Sequence, residues 1–304
     1  MTFSNNTASH AEAPFFGPPI DIATAFEHEP PQLDFIWPGF LAGTVGALVA
    51  PGAAGKSYWT MEAAMSVACS VAGADLVDLS PKCYGRVVYF AGEDPEPAIN
   101  RRLYSMGRHL PPLARDGIAQ NLIIEPIMGK RLNLMNDLHL DKVINYCASC
   151  RLIILDTLSR VHTLDENSNG DMARLIGTLE YIGTMTGAAV LFLHHVAKGS
   201  VREGQIDQQH AARGASALID NARWCGYLSK MTDVEAAKFT DQTNKKPIGS
   251  ERKGFLLRFG ISKQNYDVAY QDKWYERRDG GVLIPIHLEE ARTCGERGRR
   301  RDEI

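Results

Sequence analysis

The sequence predicts an α/β fold: a mostly parallel central sheet, helices on both faces, and antiparallel strands toward the C-terminus. Three observations carry that expectation. Short apolar runs alternate with helix-length segments from Gly46 to His194, and such alternation builds a parallel sheet covered on both sides. A glycine-containing loop joins the first apolar run to the first long helical segment. Three later runs, Trp224–Ser229, Gly254–Ser262 and Gly281–His287, are separated by turn-rich stretches, which suits hairpins.

Taken in order, residues 1–30 are rich in Ser, Asn, Pro and Ala and lack periodicity. They are expected to form a flexible arm with a short helix at Ile20–Glu27. Pro30, Pro31 and Pro38 keep the next stretch extended, and the ordered core is expected from near Leu33. Gly46–Ala50 reads as a buried strand and Tyr58–Ala72 as a helix. Strands follow at Gly85–Ala91, Asn121–Glu125, Arg151–Asp156 and Ala188–His194, with helices at Pro97–His109, Leu138–Cys150 and Asp171–Thr186. Asp241–Arg252 reads as a polar loop. The folded domain is placed at 31–289, and 290–304, with the basic run Arg292–Arg301, is expected to be a disordered tail.

Hydrophobic residues make up 44 % of the 304, enough for a sizeable core. The net charge of −3 argues against a surface that is basic overall and leaves nucleic-acid binding to local patches. Six scattered cysteines in mostly apolar context suit reduced thiols. Cys147 and Cys150 form a CxxC without a second ligand pair, so a zinc site is not expected. With neither a signal-peptide pattern nor an 18-residue apolar stretch, a cytoplasmic protein is expected.

The chemistry begins at Ala50-Pro51-Gly52-Ala53-Ala54-Gly55-Lys56-Ser57. Backbone N–H groups at a helix N-terminus point at an anion, and the helix dipole adds favourable charge. Gly52 and Gly55 are read as the residues that permit the tight path. Pro51, Gly52, Ala53, Ala54, Gly55, Lys56, Ser57 and Tyr58 are therefore candidate ATP-binding residues. Lys56 is assigned to the β- and γ-phosphates and Ser57 to Mg²⁺. Ala50 stands where the GxxxxGK[ST] pattern has its first glycine.

Asp156 ends an apolar run at the strand edge where α/β sheets bind ligands, and is assigned to the Mg²⁺ water shell. Glu93, just past the second strand, is the candidate base for the attacking water. Its neighbour Asp94 is the rival and is otherwise a cap for the next helix. Of the pair His194 and His195, adjacent strand positions face opposite sides. His194 is assigned to sense the γ-phosphate and His195 to pack.

The segments APGAAGKS, AGED, RLIILD and VLFLHH, in that order, resemble a RecA-like P-loop ATPase. More closely, PPQLDFIWPGFLAGTVGALVAPGAAGKS, VVYFAGEDPEPAINRRL, RLIILDTLSRVH, VLFLHHVAKG, RGASALIDNARW, LRFGISKQNY and WYERRDGGVL resemble the RepA family of plasmid-encoded replicative DNA helicases, over roughly residues 30–285. The resemblance implies a homohexameric ring that hydrolyses ATP between subunits and moves 5′→3′ on single-stranded DNA. It implies that Arg223 is an arginine finger supplied by the neighbour, with Lys263 and Arg102 as further nucleotide contacts. Other plasmid replication proteins, such as an initiator or a primase, are the further partners it suggests. A RecA-like ATPase of recombination or regulation, without unwinding, is the alternative reading.

The stretch from Lys198 to Ser216 is long, polar and glycine-containing, a type of loop that is usually functional or disordered. Its counterpart in RecA-like rings faces the central channel. Lys198, Arg202, Arg213 and Ser216 are therefore the candidate DNA contacts, and Gly129–Asn133 is a second candidate channel loop.

Overall fold

The computed structural model describes residues 17–196, 216–241, 247–266 and 268–290. The chain divides into two compact units, one up to Leu33 and one from Asp34 onward. In the first, a single short helix, α1 (Ile22–Glu27), starts where the Asp21 carboxylate accepts from the Thr24 amide.

The second unit opens with a small hairpin of β1 (Phe35–Trp37) and β2 (Phe40–Leu41). Its core is a nine-stranded sheet. At the centre β3 (Val45–Ala50) lies between β7 (Ala189–His195) and β8 (Trp224–Lys230), parallel to both. The parallel part continues outward through β6 (Leu152–Asp156) and β4 (Val87–Ala91) to the edge strand β5 (Leu122–Pro126). On the other side β10 (Leu256–Gln264), β11 (Lys273–Arg277) and β12 (Leu283–Ile286) add on antiparallel. The sheet therefore changes character at β8, which is parallel to one neighbour and antiparallel to the other. Beside it β9 (Phe239–Asp241) pairs with β13 (Leu288–Glu290).

The helices of the parallel part are α2 (Lys56–Ala68), α3 (Glu96–Gly107), α4 (Pro112–Asn121), α5 (Asp137–Tyr146) and α6 (Asn169–Thr186). The expected strands and helices of the parallel part are present, with ends moved by a few residues. Helix α4 and strand β11 were not expected. Paired prolines start α4, where fixed φ and a missing donor cost nothing. In β11, lysine, glutamate and arginine flank only a Trp-Tyr pair, which masks the strand. Within the expected loop Asp241–Arg252, the described residues include a short helix, Ser250–Lys253.

Alternating side chains of the strands feed two cores. One face carries Leu48, Ala50, Tyr89, Ile154, Leu191 and Leu193, packed with Trp59, Ala63 and Val67 of α2. The other carries Ala47, Val49, Val88, Leu155, Val190 and Phe192, packed with Leu175 and Leu179 of α6. Helix α2 is buried nearly all round. Trp59 stacks on Phe259 of β10, with ring centroids 4.2 Å apart, which ties α2 to the antiparallel strands. Cys147 and Cys150 are buried free thiols. Among the described residues, no helix is long and apolar enough to cross a membrane.

Candidate active site at the end of β3

The loop after β3 turns sharply into α2. Gly55 caps the helix at φ 97°, where a side chain is strained. A Cβ on Gly55 would also sit 3.0 Å from Arg277 Nη2. The second left-handed residue is Ala53, at φ 59°. Gly52 has no positive φ and open space around its Cα. The tight path thus rests on Gly55 and Ala53, not on Gly52 as the glycine pattern suggested. Ala50 is the buried last residue of β3, and its carbonyl accepts from the Lys56 ammonium at 3.1 Å.

Lys56 is only 5 % exposed. Burial pulls its pKa down to about 8, against the opposing pull of the Asp156 and Glu93 carboxylates. Its ammonium also lies 2.9 Å from His195 Nδ1. With Nδ1 accepting from Lys56, the ring proton sits on Nε2, which donates to Glu93 Oε1 at 3.2 Å. His195 therefore bridges the phosphate-loop lysine and the acidic side chain beyond β4.

This corrects the assignment of the histidine pair. The register of β3 and β7 sets His195 opposite Ala50 and His194 opposite Val49, and residues opposite each other share a face. His195 thus falls on the α2 side. His194 falls on the α6 side, where burial lowers its pKa.

The same alternation places the other groups. Tyr89 and Ile154 are opposite each other, as are Ala91 and Asp156, so Tyr89 and Asp156 share the α2 face. The Tyr89 hydroxyl donates a short hydrogen bond to Asp156 Oδ2. Asp156 is 4 % exposed. Burial raises its pKa, and the hydroxyls of Tyr89 and Ser57 oppose that rise. The buried Asp156 Oδ1 has no hydrogen-bond partner. Glu93 accepts from Thr157 Oγ1 at 3.3 Å as well as from His195. Asp94 does not cap α3; it pairs with Arg102 Nη1 at 2.6 Å. The Arg102 guanidinium in turn lies 5.1 Å from the centre of the Tyr58 ring.

A cavity of about 590 Å³ is lined by Ala53, Ala54, Gly55, Lys56, Ser57, Tyr58, Glu93, Asp94, Arg102 and His195. Its size is within the ~300–1,000 Å³ of small-molecule sites. Arg277 and Gly281 complete the wall from the antiparallel strands. Sequence reasoning missed Tyr89, Thr157, Arg277 and Gly281. The signal for Arg277 was its parity: two residues from Tyr275, which packs in the α2 core, it faces the same side.

Two candidates lie elsewhere. Arg223 is exposed, and its amide donates to the Val45 carbonyl at the start of β3. Six strand residues, ~17–20 Å of rise, separate that end from the phosphate loop. Lys263 is opposite Cys225 at the same end, and its ammonium caps the carbonyls of Ile219 and Asp220 at 3.1 and 2.5 Å. Neither lines the cavity of its own chain. Lys198, Arg202 and Arg213 lie outside the described residues. Ser216 begins the helix Ser216–Asn221, but its side chain lies outside them too.

A phosphate-binding loop, a lysine, two carboxylates and two arginines around one cavity suit a nucleoside triphosphate. A family model described as an AAA domain matches residues 15–201, well over half of the chain. The chain belongs to the AAA-domain family. It is also similar to two solved structures at 12 % identity. One is a DnaB-like replicative helicase solved for its interactions with primase, with a TM-score of 0.54 over 80 % of this chain and 57 % of that one. The other is an ATPase domain, with a TM-score of 0.51 over 82 % and 87 %. The fold is that of the RecA-like ATPases, and this AAA-domain protein is a P-loop ATPase.

Mg²⁺ fits the donor set. Asp156 Oδ1 is a buried orphan oxygen beside the Ser57 hydroxyl, and hard divalent cations take oxygen ligands. Among the described residues no cluster of three or more His, Cys, Asp or Glu is able to hold an ion. The ion would therefore rely on nucleotide phosphates and water for its remaining ligands.

Proposed function

We propose that this AAA-domain protein is a RepA-type plasmid replicative helicase: a homohexameric ring that hydrolyses ATP between subunits and moves 5′→3′ along single-stranded DNA. The observation that carries the reading is the split of the site. Lys56, Ser57, Glu93 and His195 converge on one cavity, while Arg223 stands at the opposite sheet edge of the same chain. An arginine placed there reaches a γ-phosphate only from a neighbouring subunit. The DnaB-like relative, a replicative helicase with a primase partner, supports the choice of a replication motor.

In this reading Lys56 holds the β- and γ-phosphates, and Ser57 and Asp156 hold Mg²⁺, which neutralises charge on the phosphates. Glu93 takes the proton of the attacking water. His195, in contact with Glu93 and Lys56, reports the γ-phosphate in place of His194. Arg223 from the neighbour stabilises charge as the γ-phosphoryl leaves, with Lys263 beside it. Arg102 and Tyr58 flank the nucleotide. Lys198, Arg202, Arg213 and Ser216 contact the DNA strand. The folded motor spans 31–289, between an arm at 1–30 and a basic tail at 290–304, and works in the cytoplasm with replication partners.

Duplexes carrying a single-stranded tail of either polarity test the proposal. ATP-dependent strand release from the 5′-tailed substrate is expected, together with a hexameric mass. Release from neither substrate would leave the RecA-like ATPase without unwinding as the better account.

A further inference from the structure

Glu93 has a second neighbour besides the nucleotide cavity. On its other side it borders a cleft of about 260 Å³ whose wall includes Gly92, Gly129, Arg131, Ser159 and Arg160. Two arginines therefore face one small cleft. Both are exposed, and neither guanidinium has an ion pair or hydrogen-bond partner among the described residues. Lys130, next to Arg131 in the chain, differs, since it is neutralised by Glu125.

The backbone holds these arginines in place. Arg131 sits at φ 53°, two residues after Gly129 at φ 80°, a conformation uncommon for a non-glycine residue. Arg160 ends the 3₁₀ turn Leu158–Arg160 that follows β6. Its stem crosses Gly92 so closely that a Cβ there would lie 2.7 Å from Arg160 Cβ. The Gly92 amide donates to the Asp156 carbonyl at 2.6 Å, which fixes that crossing. The cleft therefore has a closely packed floor at Gly92 and two cationic forks in its lining, both without a side-chain partner among the described residues.

A hydroxyl relay links the cleft to the base. Thr157 Oγ1 donates to Glu93 Oε1, so its contact with Ser159 Oγ at 3.1 Å has Ser159 as donor. Ser159 lines the cleft. An anion seated there competes with Thr157 for the Ser159 proton.

We infer that this cleft seats a phosphate of the polynucleotide strand, held by Arg131 and Arg160, and that its occupancy is relayed through Ser159 and Thr157 to Glu93. Guanidinium forks match phosphate oxygens in pairs. The reading rests on the DNA-motor proposal and adds a contact made by described residues outside the segment from Lys198 to Ser216. It gives strand binding a direct physical route to the hydrolytic carboxylate.

Fluorescence anisotropy with a labelled oligothymidylate tests it, on the assembled protein with a non-hydrolysable ATP analogue across a salt series. In the R131A/R160A double variant affinity is expected to fall tenfold or more. Its salt slope should shrink by about 0.7, the single-strand value for one lost phosphate. R131K/R160K should retain most of the slope, because the charge stays. The ratio of DNA-stimulated to DNA-free ATP turnover should drop toward one in the alanine variant. Unchanged affinity and slope in R131A/R160A overturn the inference while the motor reading stands. So does a loss of assembled mass with an unaltered slope, since the arginines then pair with a neighbouring subunit. If the wild type binds no oligothymidylate, the motor reading falls and takes the inference with it.

Discussion

Replacing His195 by alanine removes the imidazole that touches both Lys56 and Glu93. ATP turnover is expected to fall about a hundredfold or more, the scale of a lost acid–base or positioning group. The neighbouring His194→Ala change removes a side chain buried on the α6 side and is expected to lower the melting temperature while turnover is retained. A phosphate-release assay beside a thermal melt separates the two; equal losses of turnover would refute the assignment to His195. Lys56 gives a pH test. Its pKa is about 8 in the folded chain against 10.5 ordinarily. Between those values the unfolded chain binds a proton that the folded chain does not, so nucleotide-free stability should rise with pH across that window. Urea titrations should show the rise in wild type and its absence in Lys56→Met. Phosphates favour the charged lysine, so ATP binding at pH 8 should take up about half a proton. Calorimetry in two buffers of different ionisation enthalpy reads that uptake directly.

At the scale of elements, one rule of parity assembles the site. Tyr89, Asp156, His195 and Arg277 come from four strands, and each continues the face that packs on α2. The phosphate loop was legible because its lysine, serine and helix are contiguous in sequence. Asp156 was legible because a carboxylate closing an apolar run marks a strand's C-terminal edge. The histidine choice was not, because a pair on one strand is resolved only by register against Ala50. Arg277 and Gly281 were not legible because an antiparallel extension, read only as distant strands, brings them back to Gly55. The aromatic stack of Trp59 on Phe259 holds that extension against the phosphate-loop helix. Trp59→Ala is expected to cost about 3–5 kcal/mol of stability, as for large aromatics deleted from cores. Urea unfolding would show it as a lower midpoint. A loss under ~1 kcal/mol would mean that the stack contributes little beyond its neighbours.

At the scale of the whole molecule, the question is whether a single chain holds a complete site. Its own arginine candidate, Arg223, lies at the start of β3 and the phosphate loop at the end. On the proposed reading, Glu93→Gln and Arg223→Ala are each inactive as pure assemblies, for complementary reasons. The first keeps its arginine but lacks the base; the second keeps the base but lacks the arginine. Mixed and allowed to exchange subunits, the two should regain activity. An interface between an Arg223→Ala chain offering its nucleotide site and a Glu93→Gln chain offering its arginine has every group intact. Random mixing in equal amounts makes about a quarter of the interfaces of this kind in a closed ring. Steady-state ATP turnover of the mixture, set against each variant alone, is the measurement. If Arg223 instead served its own chain, every site in the mixture would lack one group and no turnover would return. Recovery therefore needs two conditions, a site shared between chains and an assembly in which chains meet.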